Sequence, residues 1–288
     1  MSEIVISADS TCDLSKELVE KYNIDILPLY VVFGDKAKKD GIDTNPDEIY
    51  KYVDEHGELT KTSALPVGEY LDYFKELTDE GKTVIHFSIS SGFSSTCNNA
   101  GLAAEEFENV YVIDSLNLST GIGLLVLKAC ELASEGKSAE EIVEIINRLR
   151  DYTDASFVIC NLDYLRMGGR CSTVAAIGAN ILKLKPGIEV IDGKMTVGKK
   201  YRGTFESCLK AYVKDRLDGN MEDIDTRRIF ITHTRCNPEI ESMVEEEIKK
   251  YGEFGEILKT EAGSTIACHC GPDTLGILYM RKSPKILK

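Results

Sequence analysis

The sequence predicts a two-domain α/β protein, in which an N-terminal, mostly parallel sheet with flanking helices precedes a C-terminal α+β domain with antiparallel strands. The 288 residues exceed the usual size of one hydrophobic core. Short apolar runs alternate with segments of helical periodicity in the first half, whereas Asp192-Gly193 in the second half separates two strand-like runs and indicates a β-hairpin. We therefore predict domains at residues 1–160 and 161–288, with one cleft between them.

The N-terminal elements alternate along the chain. A strand at IVISA, a helix at LSKELVEKY and the extended run IDILPLYVVF come first. The next helix begins at the N-cap Asn45, with Pro46 in its first turn, and ends at Gly57. After a helix over residues 67–78, the runs TVIHFSIS and NVYVIDS predict two strands on either side of a further helix.

Two helices of different character complete this half of the chain. Residues 116–134 are apolar on most faces, which predicts a helix buried inside the protein. In the following helix Ile142, Ile145, Ile146 and Leu149 recur at i, i+3, i+4 and i+7, the stripe of a surface helix that packs on one side.

The C-terminal part contains helices and strands in a less regular order. A glycine turn at MGGR follows its first strand, and the hairpin strands lie within GIEVIDGKMTVGKKYRG. The predicted strands outside the hairpin are FVICN, RRIFITHTR and EILKTEA, and the predicted helices are VAAIGANILKL, FESCLKAYVKDRL and NPEIESMVEEEIKKYG.

Composition excludes several classes of function. A formal net charge of −14 disfavours nucleic acid and anionic membrane surfaces as partners. The nine cysteines include no C-x-x-C pair, so we expect free thiols and a cytoplasmic location rather than a disulfide framework. The longest strongly apolar stretch, residues 121–127, is too short to insert stably in a membrane.

Hydroxyl groups crowd the end of one predicted strand, in the segment SISSGFSST. Ser91, Gly92 and Ser94 lie where this strand turns into a helix, a position at which α/β sheets bind ligands and free N–H groups favour an anion. Serines that only cap the helix are the alternative interpretation.

A second hydroxyl group comprises Thr60, Thr62 and Ser63, just before Pro66 and the next helix. Two clusters of neutral donors suit a carboxylate better than a phosphate, for which arginine and lysine are expected. A plain helix cap remains the alternative here as well.

His269 differs from the other histidines because it lies beside a Gly-Pro turn, where an imidazole could bind an anion. Cys268 and Cys270 flank it, but three successive residues cannot easily surround one zinc ion, so we predict no metal site. Arg170 and Arg202, both near glycines, could contact an anion or a partner protein, or could simply be solvated.

One alternative function is catalytic. The segment Gly92-Phe93-Ser94-Ser95-Thr96 approximates the nucleophile elbow G-x-S-x-G, although the last glycine is absent. A serine hydrolase that cleaves acyl esters through Ser94 and His269 is therefore the competing hypothesis.

Six motifs together resemble the DegV family: ADSTCDLS, KTSALP, SISSGFSST, VIDSLNLSTGIG, YLRMGGRCS and HCGPDTLG. The resemblance spans nearly the whole chain. It implies a protein that binds one long-chain fatty acid between two domains, catalyses no reaction and needs no cofactor. It further implies a FakB-like subunit of bacterial fatty acid kinase, in which a partner kinase supplies ATP and metal.

Carried over motif by motif, the resemblance implies that Thr62, Ser94 and His269 hold the carboxylate. It also implies that a second set lies near the headgroup or at the face that meets the kinase. This set is Ser63, Ser91, Gly92, Arg170 and Arg202.

We expect the acyl chain in a tunnel lined by apolar helices such as residues 116–133. Two residues depart from the family pattern, namely Asp273 in place of a glycine and Cys171 in place of an aliphatic residue. We expect the charge of Asp273 either to raise the pKa of His269 or to alter the docking of the kinase.

Overall fold

The computed structural model describes residues 2–172 and 184–285, and these residues form three β-sheets. The strands are β1 (Ile4–Asp9), β2 (Asp25–Leu27), β3 (Tyr30–Phe33), β4 (Lys36–Lys39), β5 (Lys61–Ser63), β6 (Thr83–Ser88), β7 (Val110–Asp114), β8 (Thr153–Ile159), β9 (Leu184–Ile191), β10 (Lys194–Arg202), β11 (Ile224–Thr234), β12 (Glu256–Glu261) and β13 (Thr274–Arg281).

The α-helices of the same residues surround these sheets. They are α1 (Lys16–Tyr22), α2 (Pro46–His56), α3 (Val67–Asp79), α4 (Thr96–Ala104), α5 (Thr120–Ser134), α6 (Ala139–Leu149), α7 (Leu162–Gly168), α8 (Phe205–Leu217), α9 (Pro238–Lys249) and α10 (Ser264–Cys270). The predicted helix VAAIGANILKL lies outside the described residues, except for Leu184, which begins β9.

The first sheet is parallel and has the strand order β2-β1-β6-β7. Every residue of β6 is buried, because helices cover both faces of a parallel sheet. The mixed α/β class and the mostly parallel N-terminal sheet are thus confirmed. The carboxyl ends of β1 and β6 lie side by side, which brings Asp9 next to Ser88.

The predicted run IDILPLYVVF forms two strands in different sheets. It divides after Leu27 at Pro28, because proline has no N–H group to donate to a sheet. The second piece, β3, pairs antiparallel with β4 and β5 in a three-stranded sheet. This pairing places Thr62 of β5 opposite Val31.

The third sheet has six strands in the order β10-β9-β8-β13-β11-β12, and only β11 and β12 pair in parallel. Asp192 and Gly193 have φ values of 48° and 70°, as a type I′ hairpin turn requires. Strand β8 precedes residue 160, yet it pairs with β9 and β13. The division into two domains remains a proposal, and this pairing favours a boundary between α6 and β8.

Helix α5 is almost entirely buried and packs against β1, β8 and β13. It begins at Thr120 and not at residue 116, because Leu116 and Ser119 have φ values of 51° and 52°, which no α-helix contains. Among residues 2–172 and 184–285, no helix combines the length and apolar character needed to cross a bilayer.

Two short helices were not predicted. Helix α7 occupies part of the segment read as a glycine turn, and Gly169, with a φ of 69°, ends it. Helix α10 carries His269, which was expected beside a turn. The side chains of residues far away in sequence hold the start of α10, so no local pattern marks it.

Candidate functional site

A cavity of about 520 Å³ lies where the loop after β6, strand β5 and helix α10 meet. This volume is within the range of roughly 300 to 1,000 Å³ that is usual for small-molecule sites. Its walls include seven of the eight predicted site residues: Thr62, Ser63, Ser91, Gly92, Ser94, Arg170 and His269. Arg202 does not line it and is exposed at the end of β10.

The hydroxyl of Ser94 bonds the first residue of α4, and it has a proton to offer the cavity when Thr96 is the donor of the bond between the two hydroxyls. Its hydroxyl accepts from Thr96 N at 3.2 Å and lies 2.7 Å from Thr96 Oγ1. A serine hydroxyl has two acceptor sites and one donor. If Thr96 donates to it, both acceptor sites are used and the Ser94 proton can bind an anion, so capping and anion binding are compatible.

Ser91 and Gly92 shape the loop. Ser91 Oγ donates to Asp114 Oδ2 at 2.6 Å, which ties the loop to the end of β7. A Cβ on Gly92 would lie only 2.4 Å from the carbonyl oxygen of Gly193, so the hairpin turn can approach only because residue 92 is glycine. The same Cβ would lie 3.4 Å from Lys194 Cγ, so the Lys194 stem also packs against Gly92.

The second hydroxyl group meets the histidine. Thr62 Oγ1 lies 2.9 Å from His269 Nε2, whereas Thr60 Oγ1 is buried 3.0 Å from Cys268 Sγ. His269 Nδ1 has no hydrogen-bond partner and faces Gly168, where a Cβ would lie 2.4 Å from it. Helix α7 can pack closely on the imidazole because residue 168 is glycine.

Burial and, to a smaller extent, the positive charge of Arg170 together lower the pKa of His269 to about 4. The imidazole is therefore neutral at neutral pH. The expectation that Asp273 raises this pKa is wrong. Asp273 is exposed beyond the end of α10, where its backbone pairs with Thr234 and Cys160, and it does not contribute to the shift.

Arg170 and Ser63 also line the cavity, whereas Cys171 does not. Arg170 donates from Nη1 to Gly168 O at 2.6 Å and from Nε to Phe93 O at 3.4 Å. It therefore links the end of α7 to the loop between β6 and α4, which we call the serine-rich loop. Ser63 is exposed and donates to Ala64 O at 3.3 Å. Cys171 is buried, with Sγ 3.5 Å from the carbonyl oxygen of the cavity residue Met195.

The geometry does not support a serine hydrolase. A catalytic triad needs a nucleophile bonded to a base that a third group orients. Here the Ser94 hydroxyl bonds within its own loop, the imidazole bonds Thr62, and His269 Nδ1 has no carboxylate partner. In the described part of the chain no group of three or more His, Cys, Asp or Glu side chains is placed to hold a metal ion.

A second, smaller cavity of about 30 Å³ adjoins the first, and the two share Leu118, Ile266 and Cys270. Beyond these residues it reaches Phe157 and Leu278 of the six-stranded sheet. The residues 116–133, expected to line a tunnel, contribute Leu118 and Ser119 to these two cavities, while α5 itself packs into the core. Sequence patterns did not predict these adjoining cavities because their walls come from separate elements.

The imidazole of His269 should titrate with a pKa of about 4. Because this value is below the ordinary 6.5, neutral His269 favours folding above pH 6.5 and its contribution is lost as the pH falls through about 4. NMR titration of the ring protons, with His269→Gln to assign the signal, measures the midpoint. A midpoint at or above 6.5 would contradict the buried, neutral imidazole.

The fold and the cavity together define a mixed α/β protein with a cavity of small-molecule size, and comparisons with known proteins identify its class. The sequence profile of the DegV family matches residues 3–282. A DegV domain-containing protein of Clostridium perfringens is 33% identical over 291 residues, which cover 98% of this chain and 100% of that protein. The chain belongs to the DegV family.

Solved structures have the same fold. A DegV lipid-binding protein from Thermotoga maritima superposes with a TM-score of 0.85 at 28% identity, and DegV from Bacillus subtilis, described as a fatty acid binding protein, with 0.85 at 29%. Each comparison covers 98% of this chain and 100% of the other. A stearic acid-binding protein from Eubacterium ventriosum has a TM-score of 0.82 at 28% identity and covers 98% of this chain and 99% of its own.

Proposed function

We propose that this protein binds one long-chain fatty acid, with its carboxylate among Thr62, Ser94 and His269. The observation that carries the proposal is the shape of the site. A cavity with hydroxyls and an imidazole on its wall adjoins an apolar space across Leu118 and Ile266, and we propose that the tail extends from one into the other along this apolar passage. The fatty acid and lipid binding of the similar structures supports the same ligand.

The headgroup contacts suit a single carboxylate. Ser94 offers a hydroxyl proton. Thr62 and the neutral imidazole of His269 are hydrogen-bonded to each other, and a carboxylate can accept a hydrogen bond from this pair. Arg170 adds a positive charge at the same wall. These groups hold the anion without neutralising it fully, so an oxygen lone pair of the carboxylate stays reactive.

The tail supplies most of the affinity. About fourteen methylene groups at ~0.8 kcal/mol each give on the order of 11 kcal/mol before the costs of association. Each headgroup hydrogen bond adds only about 1 to 3 kcal/mol. The polar residues therefore orient the acid, and the apolar passage retains it.

We further propose that the protein is a cytoplasmic, FakB-like subunit that presents the acid to a fatty acid kinase and catalyses nothing alone. A carboxylate oxygen attacks the γ-phosphorus of ATP supplied by the kinase, the bond to the bridging oxygen breaks, and acyl phosphate and ADP form. The hydroxyl of Ser94 bonds Thr96 and the imidazole of His269 bonds Thr62, an arrangement that suits the binding of a carboxylate and supports a carrier role. The nine cysteines lie in the described part of the chain and form no disulfide there, an arrangement that a reducing compartment favours.

Equilibrium titration of delipidated protein with palmitate and with its methyl ester tests the binding proposal. The acid should bind at least about tenfold more tightly than the ester, because only the acid presents a charged acceptor to the headgroup residues. Failure to bind either compound contradicts fatty acid binding, and equal binding contradicts the headgroup assignment.

Presentation is tested by adding a bacterial fatty acid kinase with ATP and Mg²⁺, and trapping acyl phosphate with hydroxylamine. Acyl hydroxamate should form only when kinase, ATP and the loaded protein are all present. Product formed without the kinase would contradict a carrier role, and lack of product with several such kinases would contradict presentation.

A further inference from the structure

Three buried carboxylates lie behind the cavity wall, at Asp9, Asp13 and Asp40, and we call them the carboxylate hub. We propose that this hub positions both headgroup segments, the serine-rich loop and the helix that carries His269. The inference rests on the proposed function, because it assigns a positioning role toward the carboxylate of the bound acid. It also assigns a role to the motif ADSTCDLS, which contains Asp9 and Asp13 but contributes no residue to the cavity wall.

Asp9 holds the start of the serine-rich loop. Its Oδ2 accepts from Ile89 N at 2.8 Å and from Ser88 Oγ at 3.1 Å, while its Oδ1 accepts from Thr11 N at 3.1 Å and from the Thr11 hydroxyl. All four of these hydrogen bonds to the Asp9 side chain are buried. The loop that bears Ser94 is thereby fixed to the end of β1.

Asp13 and Asp40 hold the start of α10. Gly263, at the N-cap, has no side chain to satisfy the first N–H groups of this helix. Gly263 N donates to Asp13 Oδ1 at 2.8 Å, Ser264 N to Asp40 Oδ1 at 2.7 Å and Thr265 N to Asp40 Oδ2 at 3.1 Å. Carboxylates more than 200 residues away in sequence therefore replace the local cap.

Hydrogen-bond donors stabilise the three buried carboxylates. None of the three forms an ion pair with a described residue. Ser119 Oγ donates to Asp13 Oδ2 at 2.5 Å, and Ser10 Oγ donates to Asp40 Oδ2 at 2.9 Å. Burial and the neighbouring charges of Asp40 and Asp9 raise the pKa of Asp13 well above its usual range.

His269 follows the capped residues by one helical turn, so a shift of the helix start displaces the imidazole. Its Nε2 lies 2.9 Å from Thr62 Oγ1, and hydrogen bonds tolerate little displacement. The hub thus sets the spacing between His269, Thr62 and the loop of Ser94.

Two asparagine variants give different predictions because of their partners. In Asp40→Asn, the amide NH₂ must face a backbone N–H whichever way it turns, since both oxygens accept from such groups. In Asp13→Asn, the NH₂ can face Ser119, whose hydroxyl can turn to accept. Asp40→Asn should therefore disturb α10 more than Asp13→Asn.

The experiment compares binding of palmitate and of its methyl ester, which shares the tail but lacks the charged headgroup. Asp40→Asn should lower palmitate affinity at least about tenfold and ester affinity less than about twofold, with a smaller loss of palmitate affinity for Asp13→Asn. Ser138→Ala, which removes the capping box of α6 away from the cavity, should leave the ratio of the two affinities unchanged.

If Asp40→Asn lowers both affinities equally, or if Asp13→Asn has the larger effect, the positioning role is wrong. Should Asp40→Asn not fold, Ser10→Ala removes one donor to Asp40 and should lower the acid-to-ester affinity ratio several-fold. An unchanged ratio in that variant overturns the inference. Wild-type protein that binds neither compound would instead refute fatty acid binding.

Discussion

Replacing Ile266 with phenylalanine should lower the affinity for palmitate at least about a hundredfold. Ile266 lines both cavities, so a larger ring there would close the passage between them. If about four methylene groups stay in water, the loss is roughly 3 kcal/mol, or about two orders of magnitude in affinity. Isothermal titration or displacement of a fluorescent fatty acid measures it.

Two controls separate a closed passage from a damaged fold. Octanoate is too short to need the passage, so its affinity should fall less than about threefold in Ile266→Phe. Ile266→Val should keep palmitate binding because it leaves the passage open. Since extra bulk in a core costs about 1 to 3 kcal/mol of stability, thermal unfolding must show that the variant is folded. Unchanged palmitate affinity would refute this route for the tail.

The combined variant Ser94→Ala/His269→Ala should lower palmitate affinity and acyl phosphate formation by two to three orders of magnitude. Each substitution removes one headgroup hydrogen bond worth about 1 to 3 kcal/mol. The fold should persist, because both side chains lie at the cavity wall and neither belongs to a hydrophobic core cluster. Titration and the hydroxamate assay measure the two effects.

Ser95→Ala is the matched control for the headgroup prediction. Ser95 neighbours Ser94 and lines the same cavity, but it is exposed, its side chain does not cap α4, and it is not among the proposed carboxylate ligands. Its removal should change palmitate affinity less than about twofold. If the double variant binds palmitate as tightly as wild type, the assignment of Ser94 and His269 to the carboxylate is wrong.

Local signals predicted most of the fold. Asn45 and Gly57 bound helix α2 as predicted, and Asp192-Gly193 forms the predicted hairpin turn. The division of a strand run at Pro28 and the helix around His269 escaped prediction. The helix around His269 was not predicted because its first N–H groups bond Asp13 and Asp40, which are more than 200 residues away in the sequence.

The candidate site was predictable in its polar part only. Hydroxyl-rich segments are visible as clusters in the sequence, and the structure brings Thr62, Ser94 and His269 to one cavity. The apolar walls at Leu29 and Leu118 gave no such signal, because single apolar residues at the ends of elements resemble any core residue. The prediction that Asp273 raises the pKa of His269 was wrong because it rested on their closeness in the sequence, and the structure does not place the Asp273 charge where it shifts this pKa.

Native mass spectrometry of the purified protein, followed by extraction and identification of the released lipid, tests the central claim most directly. The account predicts one long-chain fatty acid per chain, lost on delipidation and regained when palmitate is added. Protein that is consistently free of fatty acid and takes up none when it is offered would contradict the account.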